Sequence, residues 1–166
     1  FYQQYDPQRF RLANGRLLLG GRGNAPGSSQ PLTIMPMHRA YEIETEVAAQ
    51  GPGLTGLMLF AAPQVYIGLA IAPDGQLRRV QEGFRRYLRN DEPLIGTTSV
   101  RLRIVNEHQD VRFYYRVGHG QWTVLQPGMD VSAPASPGVH TLRPALFVTG
   151  DASGTFEYFH YRPLEQ

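Results

Sequence analysis

Residues 102–125, with the sequence LRIVNEHQDVRFYYRVGHGQWTVL, decide the fold class of this protein. Apolar and polar side chains alternate on both sides of a polar turn, which predicts two antiparallel strands joined as a hairpin. A Gly-X-Gly turn follows at Gly118–Gly120, and a third strand is expected after it. The alternation turns one set of side chains toward a core, namely Leu102, Ile104, Val111, Phe113 and Tyr115.

The same period of two recurs along the rest of the chain. It predicts strands at 41–47 and 77–81, while the apolar runs at 57–60 and 65–72 are expected to be central strands and 142–149 and 155–161 to be the last two. Segments 65–72 and 77–81 are expected to form a hairpin. The 18 Gly and 13 Pro residues supply turns between these segments, while the stretch 83–93 fits a strand, a loop or one helical turn. The expected architecture is all-β: a single domain over residues 1–166, built as a two-sheet antiparallel sandwich of about a dozen short strands.

Composition excludes several classes of function. The chain has 166 residues, which suits one domain with its own core, and no cysteine, so disulfides and cysteine-zinc sites are excluded. Its net charge is only +2, and the arginines are scattered, which argues against a nucleic-acid partner. No apolar run approaches the ~18 residues of a membrane span, and no signal peptide is visible. Because residue 1 is Phe rather than Met, we expect a fragment or a processed product.

No set of residues has the pattern of a catalytic or transition-metal site. A glycosidase needs two carboxylates facing each other across a sugar, ~5–5.5 Å or ~6.5–9.5 Å apart. Glu42, Glu44 and Glu46 instead share one strand face, where we expect cross-strand pairs with arginines, the candidates being Arg101, Arg103, Arg112 and Arg116. The histidines lack metal-ligand spacing. We therefore expect no cofactor, although a structural calcium ion at Asp151, Glu157 or Asp6 is an open alternative.

Arginine and aromatic side chains are the best candidates for ligand contact. Sugars stack on flat side chains and hydrogen-bond to planar polar groups. The residues that fit this description are Arg101, Arg103, Arg112 and Tyr114 on the non-core face of the hairpin, together with Trp122, Tyr66 and Tyr87. The same face also fits an ordinary solvated surface, and Trp122 also fits core or rim packing.

Several segments carry a family resemblance. The pattern Arg-Ile-Val-Asn-(acid)-His-x-(acid)-Val-x-Phe-Tyr-Tyr at 103–115 is followed by a glycine turn and Trp122. Other matching segments are 24–33, 40–44, 56–60, 65–69, 142–147 and 156–162, so the likeness covers about residues 14–164. Together they resemble the C-terminal concanavalin A-like sandwich of bacterial β-xylosidases and arabinofuranosidases of glycoside hydrolase family 43.

The resemblance implies an accessory domain rather than an enzyme. The catalytic five-bladed propeller of that family has no counterpart in this chain, so neither hydrolysis nor any catalytic residue carries over. Related sandwiches are classed as xylan-binding modules (carbohydrate-binding module family 91), which implies binding of xylan or arabinoxylan during hemicellulose degradation. The resemblance also implies a bacterial parent enzyme, whether cytoplasmic, periplasmic or secreted.

Two other functions remain open at this point. In the first, the domain packs on the catalytic propeller and shapes its substrate pocket without binding sugar itself, with a loop at 126–141 that contains Pro134, Pro137 and Gly138 reaching toward that pocket. In the second, the chain is a free-standing lectin or hydrolase, which would require a compact carboxylate pair in a cleft.

Overall fold

The computed structural model describes residues 6–85, 92–132 and 141–164. Within these ranges the chain forms two short 3-10 helices, Pro7–Arg9 and Pro26–Ser28, and twelve strands. The strands are β1 (Phe10–Ala13), β2 (Arg16–Gly20), β3 (Leu32–Thr33), β4 (Ala40–Gln50), β5 (Thr55–Ala62), β6 (Val65–Ile71), β7 (Leu77–Glu82), β8 (Ser99–Glu107), β9 (Asp110–Arg116), β10 (Thr123–Asp130), β11 (Arg143–Val148) and β12 (Ser153–Pro163).

The strands form two antiparallel sheets. The seven-stranded sheet has the order β1-β2-β12-β4-β8-β9-β10, and the five-stranded sheet has the order β3-β11-β5-β6-β7. The two-sheet antiparallel sandwich predicted from the sequence is therefore confirmed. The hairpin predicted for 65–72 and 77–81 is present as β6 and β7. Strands β1, β2 and β3 were not predicted, although Asn14-Gly15 between β1 and β2 is a two-residue hairpin turn, with φ values of 54° and 75°.

The hairpin of the opening stretch turns at His108 and Gln109, with φ values of 53° and 76°. Such left-handed conformations are uncommon for residues other than glycine, and neighbouring backbone hydrogen bonds hold them here. The amide of His108 donates to the carbonyl of Arg39 at 3.2 Å, and the amide of Val131 donates to the carbonyl of Gln109 at 2.8 Å. The turn is thus joined to the residue that precedes β4 and to the residue that follows β10.

The third strand after the glycine turn, β10, extends further than predicted. It runs through Asp130, so residues 126–130 belong to a strand and not to the predicted loop at 126–141. Register shifts against β9 at Gln126 and Met129 allow Pro127 to be accommodated, since β10 is the edge strand of its sheet. Residues 133–140, which include Pro134, Pro137 and Gly138, lie outside the described ranges.

The main core lies between the two sheets. Alternating side chains of the large sheet, such as Ile43, Leu102 and Phe113, pack against those of the small sheet, such as Leu59 and Ile67, and all five are fully buried. The predicted core residues Leu102, Ile104, Val111 and Phe113 are buried, and Tyr115 is partly buried against them. Burial of these side chains supplies the main favourable free energy of folding.

A second apolar cluster covers the outer face of the small sheet. It consists of Met58, Phe60, Tyr66, Ala70, Val80, Ala145 and Phe147. The 3-10 helix Pro26–Ser28 packs there so closely that a Cβ atom on Gly27 would lie 2.9 Å from the Tyr66 ring. Strand β6 is buried along its whole length. The outer face of the large sheet is the face that carries the network of charged side chains.

Candidate functional site

The outer face of the large sheet brings charged and aromatic side chains together at its centre. On β4, Glu44 and Glu46 lie opposite Arg103 and Arg101 of β8, respectively. Arg103 and Arg101 in turn lie opposite Tyr114 and Arg116 of β9. Since side chains two residues apart share a face of a strand, the alternation of the sequence translates directly into this row of polar groups.

Glu44 is the centre of a hydrogen-bond network on this face. Its side chain is 8% exposed, and its Oε1 accepts a hydrogen bond of 2.6 Å from the Tyr158 hydroxyl. Its Oε2 accepts from Nη2 and Nε of Arg103 at 2.7 and 3.1 Å, and from Nη2 of Arg162 at 3.3 Å. The carboxylate therefore connects β4 to both of its neighbours, β8 and β12.

These contacts set the protonation states of the network. Burial alone would raise the pKa of Glu44, but hydrogen bonds from Tyr158 and Arg103, with the nearby charge of Arg162, outweigh burial and lower that pKa. The pKa of Tyr158 is raised, first by burial and then by its hydrogen bond to the Glu44 carboxylate. At neutral pH the pair is therefore an ionised carboxylate accepting from a neutral phenol.

The other carboxylates of this face are also paired with arginine. Glu46 accepts a hydrogen bond of 2.8 Å from Nε of Arg101, which raises the pKa of that arginine. Glu42 pairs with Arg162. Glu44 and Glu46 thus pair with the predicted Arg103 and Arg101, whereas the close partner of Glu42, Arg162 of β12, was not among the predicted arginines. Arg112 forms a different pair, at 2.8 Å with Glu107 of its own hairpin.

Trp122 lies over the arginines of this face. The guanidinium carbon of Arg103 is 4.0 Å from the centre of the indole ring, and that of Arg116 is 4.7 Å away. Such distances are those of cation–π contacts. Trp122 belongs to neither apolar cluster and is half-buried, so core packing does not describe it. Glu44 fixes Arg103, and Arg103 in turn supports the indole ring.

The predicted contact residues divide into three groups. Arg101, Arg103, Tyr114 and Trp122 lie together at the centre of the outer face, and Arg112 lies on the same face nearer the hairpin turn. Tyr66, predicted to contact a ligand, is 7% exposed and belongs to the apolar cluster on the other sheet. Tyr87 lies outside the described residues.

Strand β12 adds side chains that sequence reasoning missed. A register shift between Phe156 and Phe159 breaks the alternation of this strand. Strict alternation from the buried Phe156 would turn Tyr158 and His160 inward, whereas the shift places both beside Glu44, with their rings stacked at 4.4 Å. A β-bulge of this kind leaves little signal in the residue pattern.

A separate cleft of about 580 Å³ lies at one end of the sandwich. Its lining includes His38, Tyr41, Asn106 and His108. The Tyr41 ring stacks on Tyr161 at 5.0 Å, and burial, with a smaller contribution from Tyr161, raises the pKa of Tyr41. The cleft is large enough for a small ligand, so it is an alternative binding site to the outer face of the large sheet.

The candidate calcium ligands have other partners or lie apart. Glu157 pairs with Arg16 at 2.7 Å, and Asp6 lies 3.8 Å from Arg22, while Asp151 is exposed. Across residues 6–85, 92–132 and 141–164, no three His, Asp or Glu side chains are grouped so that they could hold a metal ion. No helix in those ranges is both long and apolar enough to cross a membrane.

Comparisons with known proteins rest on structure alone. No protein-family model and no curated protein matches the sequence. The glycoside hydrolase family 43 protein BlXynB from Bacillus licheniformis matches 97% of this chain with a TM-score of 0.78 at 14% identity, over 36% of its own length. A xylan β-1,4-xylosidase from Bacillus halodurans matches 95% with a TM-score of 0.77 at 18% identity, over 35% of its length.

The chain therefore spans about a third of the length of these two enzymes. A protein of unknown function from Saccharomyces cerevisiae matches 97% of this chain over 95% of its own, with a TM-score of 0.69 at 14% identity. The same sandwich thus also occurs as nearly an entire chain. The part of the family 43 structures that matches is their β-sandwich domain, and this protein has the fold of that domain.

Proposed function

We propose that this protein is a non-catalytic carbohydrate-binding accessory module of a family 43 glycosidase and that its ligand is xylan or arabinoxylan. The observation that carries the proposal is the indole ring of Trp122 on Arg103 and Arg116, at the centre of the polar face of the large sheet. The likeness to the sandwich domain of a xylan β-1,4-xylosidase supports this choice of ligand.

Sugar binding at this face follows from the side chains that meet there. An aromatic ring stacks on the C–H face of a pyranose, while guanidinium and phenol groups hydrogen-bond to its hydroxyls. Trp122 and Tyr114 supply rings, and the arginines supply donors. Because Glu44 already fixes Arg103 through two hydrogen bonds, that side chain loses little further conformational freedom when a ligand binds.

The carboxylates of this face favour binding over hydrolysis. Glycoside hydrolysis needs one carboxylic acid with a raised pKa as the acid catalyst. It also needs a second carboxylate that is free to activate water or to attack the sugar. Glu44 has a lowered pKa and accepts from Tyr158 and Arg103, and Glu46 is hydrogen-bonded to Arg101. In the proposal these groups position arginines and take no part in bond cleavage.

Affinity electrophoresis in gels with and without soluble xylan tests the proposal. The wild type is expected to be retarded by xylan, and Trp122→Ala is expected to weaken binding about fivefold, since a stacked ring contributes ~1 kcal/mol. Trp122→Phe should keep part of the retardation. Leu12→Ala, which changes a 74% exposed side chain on the far edge strand β1, is the control and should migrate as the wild type does. Equal mobility of the wild type in all gels would refute xylan binding.

A second candidate function is a structural domain that packs on the catalytic propeller of the parent enzyme and shapes its substrate pocket. The observation in its favour is the exposed apolar segment Ile34–Met37, in which Ile34, Met35 and Met37 are 40%, 62% and 81% exposed. Large exposed apolar patches commonly mark interfaces. Pro36 of this segment lines the rim of the sandwich-end cleft, so a partner seated there would also cover the cleft.

The two candidates respond differently to the same variants. A Met35→Ser, Met37→Ser double variant should lose affinity for a separately produced catalytic domain of the parent protein if the structural function holds, with xylan retardation unchanged. Under the carbohydrate-binding proposal, Trp122→Ala should weaken xylan retardation and leave the affinity for the catalytic domain unchanged. Pull-down titration with the catalytic domain, run beside the gels, separates the two.

A further inference from the structure

Arg116 differs from the arginines around it at the centre of the outer face of the large sheet. Arg101, Arg103, Arg112 and Arg162 each pair with a carboxylate. Arg116 has no ion pair within the described residues, and its Nε is buried without a hydrogen-bond partner. Its charge is thus left without a counter-ion beside the indole ring of Trp122.

The contact with Trp122 leaves the hydrogen-bonding edge of Arg116 available. A guanidinium over an aromatic ring uses its flat face for the cation–π contact, while its N–H groups point outward in the guanidinium plane. Only Nε is buried without a partner, so the two Nη groups remain accessible. This edge is the part of arginine that binds a carboxylate through two parallel hydrogen bonds.

The cross-strand neighbour of Arg116 strengthens this preference for an anion. Arg101 lies directly opposite Arg116 in the sheet, and its own charge is matched by Glu46 at 2.8 Å. The additional positive charge of the site is therefore located at Arg116. A neutral sugar would leave that charge uncompensated, whereas a negatively charged sugar would pair with it.

We propose that Arg116 and Trp122 form a subsite for a uronic acid residue, so that the module prefers carboxylate-bearing xylan over neutral xylan. The indole ring stacks on the sugar ring, and the Nη groups of Arg116 bind its carboxylate. The inference rests on the proposed carbohydrate-binding function and adds the class of sugar that this site selects.

The test compares glucuronoxylan with the same polymer after its carboxyl groups have been reduced to neutral alcohols. Trp122 is the only tryptophan, so its fluorescence reports binding at this site directly. The wild type should bind the acidic polymer about tenfold more tightly, since a charge-assisted hydrogen bond contributes ~1.5–3 kcal/mol and tenfold corresponds to ~1.4 kcal/mol. The preference should shrink as salt is added.

Two variants and a control assign the preference to Arg116. Arg116→Gln should lose the tenfold preference but keep its affinity for the reduced polymer, and Arg116→Lys should keep part of the preference, because it retains the charge without the planar fork. Arg11→Gln removes the same charge from an exposed position on β1, at the opposite edge of the sheet, and should behave as the wild type does.

The outcomes separate the inference from the function on which it rests. Equal affinity of the wild type for both polymers would overturn the uronate subsite and leave xylan binding intact. An equal loss on both polymers in Arg116→Gln would also overturn it. If neither polymer binds, both proposals are wrong. The comparison of polymers on the wild type needs no variant, so it decides the question even if Arg116→Gln is unstable.

Discussion

Replacement of Glu44 by Gln should destabilise the protein by about 2 kcal/mol. The Glu44 side chain is 8% exposed and accepts hydrogen bonds from Arg103, Arg162 and Tyr158. Breaking a fully buried ion pair costs ~3–5 kcal/mol. The cost here should be lower, because Arg103 and Arg162 are 23% and 53% exposed and water can replace part of the lost contacts.

Urea unfolding at pH 7 measures this loss, and Glu46→Gln provides the matched control. Glu46 lies two residues away on the same strand, but its side chain and that of Arg101 are 29% and 24% exposed, so its loss should cost at most ~1 kcal/mol. In thermal unfolding the Glu44 variant should melt about 6 °C lower, on the basis of ~2–4 °C per kcal/mol for a domain of this size.

The free energy of unfolding should depend on pH in a direction set by the lowered pKa of Glu44. A carboxylate whose pKa is lower in the folded state than in the unfolded state stabilises the folded protein. This contribution is fully present when the pH is above the pKa of the unfolded state, and it is lost as the pH falls through the pKa of the folded state. The pKa of Glu44 is lowered by Tyr158 and Arg103 against the effect of burial. The stability difference between wild type and Glu44→Gln should therefore be constant above about pH 5 and shrink below about pH 4. Equal losses in both glutamine variants, or a difference that grows in acid, would refute this account of the network.

Two further variants test the packing of the sandwich. Gly68→Ala should destabilise the protein by about 3 kcal/mol or more in urea, because a Cβ atom there would lie 2.4 Å from both the Leu57 carbonyl oxygen and the Met58 Cβ atom; a loss below 1 kcal/mol would contradict the tight pairing of β5 and β6. Tyr161→Phe should cost about 1 kcal/mol and speed hydrogen exchange at Met37 and His38, whose amides each donate to its hydroxyl at 3.1 Å; unchanged exchange there would show that this contact does not hold the segment.

Most of the large sheet could be predicted because its polarity alternates cleanly. Strand β4 places glutamates on one face and Tyr41, Ile43 and Val47 on the other, and β8 and β9 follow the same rule with arginines. When one face is buried and the other is polar, a one-residue register slip would bury charges, so the pattern specifies the pairing strongly. The cross-strand pairs of Glu44 and Glu46 follow from that register.

Two errors arose where alternation does not describe the structure. Tyr66 was predicted to contact a ligand, but its ring is buried, and Gly27, about 40 positions earlier in the chain, packs closely against it. A contact so distant in sequence leaves no local pattern. On β12, the bulge before Phe159 moves Tyr158 to the polar face. The hydrogen bond from Tyr158 to Glu44 was therefore not predicted.

The Trp122 site depends on a combination that single residues do not reveal. The sequence indicates that Arg103 and Arg101 share a face, but the position of Trp122 over Arg103 depends on how the Gly118–Gly120 turn returns the chain to β10. Likewise, Arg116 is found to lack a carboxylate partner only after the partners of the neighbouring arginines, such as Arg101 and Arg103, are known. The position of the Trp122 ring and the unpaired charge of Arg116 both result from tertiary packing rather than from local propensity.

Mapping of backbone amide and indole NMR shifts during titration with xylohexaose shows whether sugar binds at the Trp122 face of the large sheet. The largest shifts are expected at the single indole N–H of Trp122 and at the amides of Arg103, Tyr114 and Arg116. Shifts confined to His108 and Gln109, which line the sandwich-end cleft, or no shifts at millimolar sugar, would contradict this expectation.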